Sequence, residues 1–133
     1  MIWGLDTNVV VRFFVRDDEK QAQLVYALFK KIEKSREKAY LPLLVILETI
    51  WVLESAYRYE RNEILNALKD LREMTFMEYE SDETVVKFIE EAEISAYDLS
   101  DLLIAHAAKS NGCHKVFTFD KKASRHNLFE LVK

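Results

Sequence analysis

Apolar positions along the chain alternate between short unbroken runs and longer stretches at helical spacing. Ile2 to Leu5 is a short apolar run stopping at Asp6, which predicts a buried strand. Within Asp18 to Lys34, Leu24, Leu28, Phe29 and Ile32 fall at helical spacing, and Asp18 with Gln21 supplies a capping box. Ala39 to Leu41 reads as a second strand, after which Pro42 suits the first turn of a helix running to Tyr57. Ile64, Leu65, Leu68 and Leu71 mark another amphipathic helix, and Phe76 to Tyr79 a third strand. Val85, Val86, Ile89 and Ala92 line a helix that opens after Asp82. Leu99 to Ser110 is helical and closes at Asn111-Gly112. Val116 to Phe119 is a strand ending at Asp120, and Leu128 to Val132 is the last one.

Strands separated by helices predict parallel βαβ units and an α/β fold, a three-layer α/β/α sandwich around a central parallel sheet. No linker, repeat or low-complexity tract divides the chain, so residues 1–133 are expected to form a single domain. In such sheets function gathers at the carboxyl ends of the strands.

Acidic residues fall at those ends. Asp6 opens Asp6-Thr7-Asn8 after the first strand, and Asp120 closes Thr118-Phe119-Asp120 after the fourth. Alone, each reads as a helix cap or turn residue. Glu48 lies in Leu43 to Leu53, a helix apolar on nearly every side, so a buried carboxylate is expected. Helical spacing puts Leu44, Val45, Trp51, Val52 and Ser55 on its face. Buried there, it needs a cation or a proton, and the cation is either a metal ion or an arginine such as Arg12. Asp98 and Asp101 lie at i, i+3 on one face of a helix N-terminus. Asp98 fits an N-cap, whereas Asp101 fits one less well because the apolar run begins directly after it.

Crowded carboxylates repel, and such a set persists mainly by binding hard divalent cations through oxygen. All-oxygen ligands favour Mg²⁺, with Mn²⁺ able to substitute, over zinc. The chemistry that uses such a centre is metal-dependent phosphodiester hydrolysis.

Composition trims the alternatives. A chain of 133 residues that is 50% hydrophobic builds a core without disulfides. The single cysteine, Cys113, excludes a disulfide framework and a multi-cysteine metal site. Two glycines, Gly4 and Gly112, exclude the glycine-rich phosphate loops. The start lacks the basic and apolar regions of a signal peptide, and Leu41 to Leu53 is too short to span a bilayer. A soluble cytoplasmic protein without a membrane partner is expected.

Four blocks, Leu5 to Phe14, Leu47 to Leu53, Asp101 to Ala105 and Thr118 to Asp120, resemble in order the PIN-domain ribonucleases, most closely the VapC-type toxins of toxin–antitoxin systems. The resemblance implies a sheet of order 3-2-1-4-5 and a catalytic acidic triad of Asp6, Glu48 and Asp101 holding the metal. Asp120 would be the fourth acid, Thr7, Asn8 and Thr118 supporting polar residues, and Asp98 an additional acid of less defined role. It also implies RNA as substrate, a small cognate antitoxin protein as inhibitor, and a homodimer. Leu102 and His106 stand where alanine is usual, and neither change removes a carboxylate.

A catalytically inactive PIN-like RNA- or protein-binding module is the alternative; such relatives usually lose an acid, and none of the core four is missing here. A phosphoacceptor receiver domain needs paired acids after its first strand, where this chain has Asp-Thr-Asn, and an aspartate after its third. His106 reads as a partly buried structural histidine, His114 and His126 as surface residues, and Cys113 as a packed hydrophobe. Trp3, Trp51 and Phe13, Phe14, Phe88, Phe117 and Phe119 read as core; exposure of any would favour base stacking.

The net charge of −4 argues against a nucleic-acid partner only until its distribution is considered. Residues 78–101 hold nine acids and one lysine, and residues 109–133 hold six basic residues and two acids. Setting aside the five acids at 6, 48, 98, 101 and 120 from the 23 leaves +1 against 19 bases. Arg12, Arg16, Lys121, Lys122 and Arg125 follow the two acid-bearing strand ends as candidates for the RNA backbone, or as ordinary solvated charges.

Overall fold

The computed structural model describes the whole chain, Met1 to Lys133, in two compact units, residues 1–80 and 81–133. The first contains β1 (Ile2–Gly4), α1 (Thr7–Phe14), α2 (Glu19–Lys34), β2 (Lys38–Leu41), α3 (Leu43–Ser55), α4 (Arg61–Glu73) and β3 (Met77–Tyr79). The second contains α5 (Asp82–Ile94), α6 (Leu99–Ser110), β4 (Val116–Thr118), a 3-10 turn at Ala123–Arg125, and β5 (Phe129–Leu131). Helices thus separate parallel strands, as the α/β reading expects.

In the first unit β2 is central, with Ala39 opposite Trp3 on one side and Met77 on the other. Paired on both edges, β2 buries Ala39 and Leu41 completely. β1 pairs on one edge only, and Ile2 and Trp3 are exposed, so the expected buried strand is an exposed one. Only Leu5, one residue beyond it, enters the core.

Asp18 caps α2 by accepting from the Gln21 N–H at 3.0 Å, but the Gln21 side chain accepts from Arg12 Nε at 2.8 Å. The buried face of α2 is Ala22, Val25, Phe29 and Ile32; Leu24 and Leu28 point to solvent. Phe29 anchors it through ring contacts with Phe13 and Phe76. Pro42 is the N-cap of α3 rather than its first residue, and the helix stops at Ser55. Helix α1 has no counterpart in the apolar pattern, because Val9-Val10-Val11 and Phe13-Phe14 fit neither the strand nor the helix period cleanly.

In the second unit Ser81, not Asp82, caps α5. α6 ends as expected at Asn111, with Gly112 in the left-handed conformation at φ 87°. β4 and β5 pair in parallel, Val116 opposite Phe129 and Thr118 opposite Leu131. The strands pair as two parallel sheets, 3-2-1 in the first unit and 4-5 in the second. Phe88, Leu99 and Leu102 are fully buried in this unit, and Ala105, Ala123 and Phe129 form a second cluster with Val116 and Leu128.

Several aromatic residues depart from the expected core. Phe88 is buried and Phe13 and Phe14 are half-buried, but Trp3, Trp51, Phe117 and Phe119 are exposed, the last at 82%. Val116 turns toward the cluster, so strand alternation carries Phe117 outward. Cys113 is also exposed, because it sits in the turn after Gly112. No helix is long and apolar enough to cross a membrane.

Candidate active site

In the first unit Asp6 directly follows β1 and Leu5 and caps α1: its Oδ1 accepts from the Val9 N–H at 3.1 Å. Its second oxygen has no protein partner. Thr7 enters the core, and its hydroxyl donates to Glu48 Oε1. This bond joins α1 to α3 and fixes which way the Glu48 carboxylate faces. The expected burial of Glu48 is overturned: it is exposed, on the same face as Leu44 and Trp51, because Ile46, Thr49, Ile50 and Leu53 take the core side of α3. The face was read correctly and its direction was not.

Arg12 does not pair with Glu48. It binds Asp17 at 2.8 Å, Gln21 at 2.8 Å and the Tyr57 hydroxyl at 3.1 Å, and the bond to Tyr57 with the nearby Asp17 charge raises its already high pKa. Arg16 pairs with Glu19 at 2.8 Å, which holds that carboxyl below its ordinary value. A cleft of about 260 Å³ is lined by Asp6, Asn8, Arg12 and Gln21 together with the apolar Val9, Leu24 and Val25.

In the second unit Asp98 is the N-cap of α6, its Oδ1 accepting from the Asp101 N–H at 3.0 Å. Asp101, in the first turn, is half-buried and its carboxylate accepts no hydrogen bond. Burial raises its pKa, and the charges of Asp98 and Asp120 raise it further. Asp120 follows Phe119 after β4; its N–H donates to Thr118 Oγ1 at 3.0 Å, and its Oδ1 accepts from the N–H groups of Lys122 at 2.8 Å and Ala123 at 3.2 Å. Lys121, Lys122 and Arg125 are exposed and make no ion pair.

The structure thus brings Thr7 to Glu48 in one unit, and Asp98, Asp101 and Asp120 within electrostatic reach in the other. No three acidic, imidazole or thiol side chains stand close enough to enclose an ion. In the second unit Asp98, Asp101 and Asp120 nevertheless offer only oxygen donors, which suit a hard divalent cation, and the charges of Asp98 and Asp120 bear on Asp101.

Residues that sequence reasoning missed include Glu80, whose Oε1 accepts from the Leu43 N–H at 3.1 Å and so caps α3, where Pro42 offers no side-chain cap. Glu91 is another, hydrogen-bonded to His106 and His126. His126 is consequently buried at 4% exposure rather than on the surface, while His106 is the partly buried histidine expected and His114 is exposed. Glu91 stands between Glu90 and Glu93 in an acidic stretch, so no spacing signal marks it.

Acids at the ends of parallel strands and at helix N-termini in an α/β frame define the class, and residues 5–127 match the PIN domain family, to which the chain belongs. The VapC ribonuclease of Aquifex aeolicus (strain VF5) is 28% identical over 123 residues, covering 89% of this chain and 87% of that relative.

Proposed function

We propose that the chain is a Mg²⁺-dependent endoribonuclease, the toxin of a type II toxin–antitoxin pair, acting as one PIN-like nuclease domain over residues 1–133. The observation that carries this reading is Asp101, a half-buried carboxylate with no hydrogen-bond donor, crowded by two further acids. Family membership and the similarity to a VapC ribonuclease supply the substrate class.

Asp6, Glu48, Asp101 and Asp120 would hold the ion, with Asp98 contributing charge. Mg²⁺ held there would supply Lewis acidity for activating water and for offsetting negative charge on the phosphodiester. The chain's own residues orient those ligands: Thr7 holds Glu48, and backbone N–H groups hold one oxygen each of Asp6, Asp98 and Asp120. Asn8 beside Asp6 and Thr118 beneath Asp120 complete the polar surroundings. Lys121, Lys122 and Arg125, exposed and unpaired, are the cations free to meet RNA phosphates, whereas Arg12 and Arg16 are committed to internal pairs. Exposed Leu44 and Trp51 beside Glu48 offer apolar surface to an antitoxin or to a second copy in a homodimer. With no membrane-crossing helix, a cytoplasmic setting is in keeping with this reading.

The test is RNA cleavage by protein purified free of antitoxin, in Mg²⁺, Mn²⁺ or EDTA, beside Asp6→Asn. Cleavage that needs the ion and is lost in the variant is expected. Cleavage unchanged in EDTA or in Asp6→Asn contradicts the proposal, and absence of both cleavage and Mn²⁺ binding identifies a non-catalytic module.

A further inference from the structure

We propose that Glu91 is a positioning residue: its single carboxylate, accepting from His106 on α6 and from His126 beyond the 3-10 turn, sets the helix carrying Asp101 against the segment carrying Asp120. This rests on the proposed nuclease reading, in which those two aspartates are ligands.

His106 Nε2 lies 2.7 Å from Glu91 Oε1, and His126 Nε2 lies 2.5 Å from Oε2. The tautomer of His126 follows from its other nitrogen, where Nδ1 accepts from the Leu128 N–H at 2.9 Å. Nε2 therefore carries the proton and donates it toward the carboxylate. The Tyr97 and Phe129 rings pack edge-on against His126, with ring centroids 4.9 and 6.1 Å away.

Each imidazole is tied to an acid by a short path. His106 is five residues beyond Asp101 on α6. The His126 N–H donates to the Ala123 carbonyl at 2.9 Å, and Ala123 belongs to the turn that Asp120 caps. Through the His126–Phe129 ring contact the network borders an apolar cluster of Ala105, Ala123 and Phe129 with Val116 and Leu128. Stability is a poor explanation for it: a partly satisfied buried network is worse than an apolar core, and His106 Nδ1 is buried with no partner. What two directional bonds on one carboxylate supply is a fixed spacing.

The metal-free chain of residues 1–133 is titrated with Mn²⁺ by calorimetry, and His ¹⁵N shifts, Tm, and kcat and KM for RNA are measured on the same samples. Glu91→Leu is expected to lower Mn²⁺ affinity and kcat about tenfold, with KM within about twofold of wild type, as loss of an orienting shell does. The control is Thr84→Val, which breaks the 2.8 Å bond from Thr84 to Ser110 that ties α5 to α6 near the opposite end of α6. It should lower Tm and leave Mn²⁺ affinity unchanged. If Glu91→Leu does not fold, Glu91→Gln keeps the volume and one acceptor, and about a threefold loss of Mn²⁺ affinity is expected. Wild-type Mn²⁺ affinity in a folded Glu91 variant whose His126 shifts have moved overturns the inference. Asp101→Asn separates the two levels: if it too binds Mn²⁺ normally, the nuclease site falls and the inference with it, whereas loss there without loss at Glu91 overturns the inference alone.

Discussion

The aspartates of the proposed site divide their oxygens between fold and chemistry. Asp6, Asp98 and Asp120 each give one oxygen to backbone N–H groups at a helix or turn start and keep the other open. The cap reading and the ligand reading of these residues, which compete on sequence alone, are compatible in the structure. Asp101 keeps both oxygens open, and burial and its acidic neighbours raise its pKa. Its folded pKa lies above the unfolded one, so ionising it as pH rises through the folded value costs stability. Asp101→Asn should therefore raise the Tm of the metal-free protein at pH 7, an advantage that disappears below the reference value of 3.8, as calorimetry at several pH values would register. Glu91 has the opposite sign. Burial pushes its carboxyl up, but the bonds from His106 and His126 outweigh it and hold it below 4.5. Its contribution is complete above that unfolded value and is lost as pH falls through the folded one. Glu91→Gln should accordingly show a shallower loss of Tm on acidification than wild type.

At the level of elements, helix α2 tells what pattern reading captures and what it does not. Its existence and its Asp18 cap follow from the sequence, but of the apolar residues at helical spacing Leu24 and Leu28 face solvent, while Ala22 and Val25 join Phe29 and Ile32 in the core. Both stripes have helical spacing, and which one faces inward is decided by Phe13 and Phe76, residues distant in sequence. Phe29→Ala should cost about 3–5 kcal/mol in denaturant unfolding, and Leu24→Ala no more than about 0.5 kcal/mol. A large loss at Leu24 would mean the face is wrong. The same ambiguity governs α3, where the residues grouped around Glu48 were right and their outward direction was not legible. Helix ends were read well at Asn111-Gly112, because a left-handed stop has its own residue chemistry. Helix α1 was not, because β-branched and aromatic residues obscure its period.

Across the molecule, the places of Asp6 and Asp120 after strands and of Asp98 and Asp101 at a helix start were legible, since those are local properties of the chain, whereas Glu48 lies inside α3 and only its helix face could be read. The Glu91 network was not legible, because it joins three elements separated by 15 and 35 residues. Charge follows the same division: the acids are concentrated before and within α6, while Lys121, Lys122 and Arg125 beyond β4 remain unpaired. The net charge of −4 therefore says little against an RNA partner. The family match spans both compact units, with Asp6 and Glu48 in one and Asp101 and Asp120 in the other. The central claim is that these four acids serve one ion-dependent reaction. It is tested most directly by Mg²⁺-dependent RNA cleavage in Asp6→Asn, Glu48→Gln, Asp101→Asn and Asp120→Asn, each checked for wild-type folding. A loss of about 100-fold or more in kcat is expected in every one of the four, as for groups that act as a unit. Full activity in either pair, while the other pair is inactive, would contradict it.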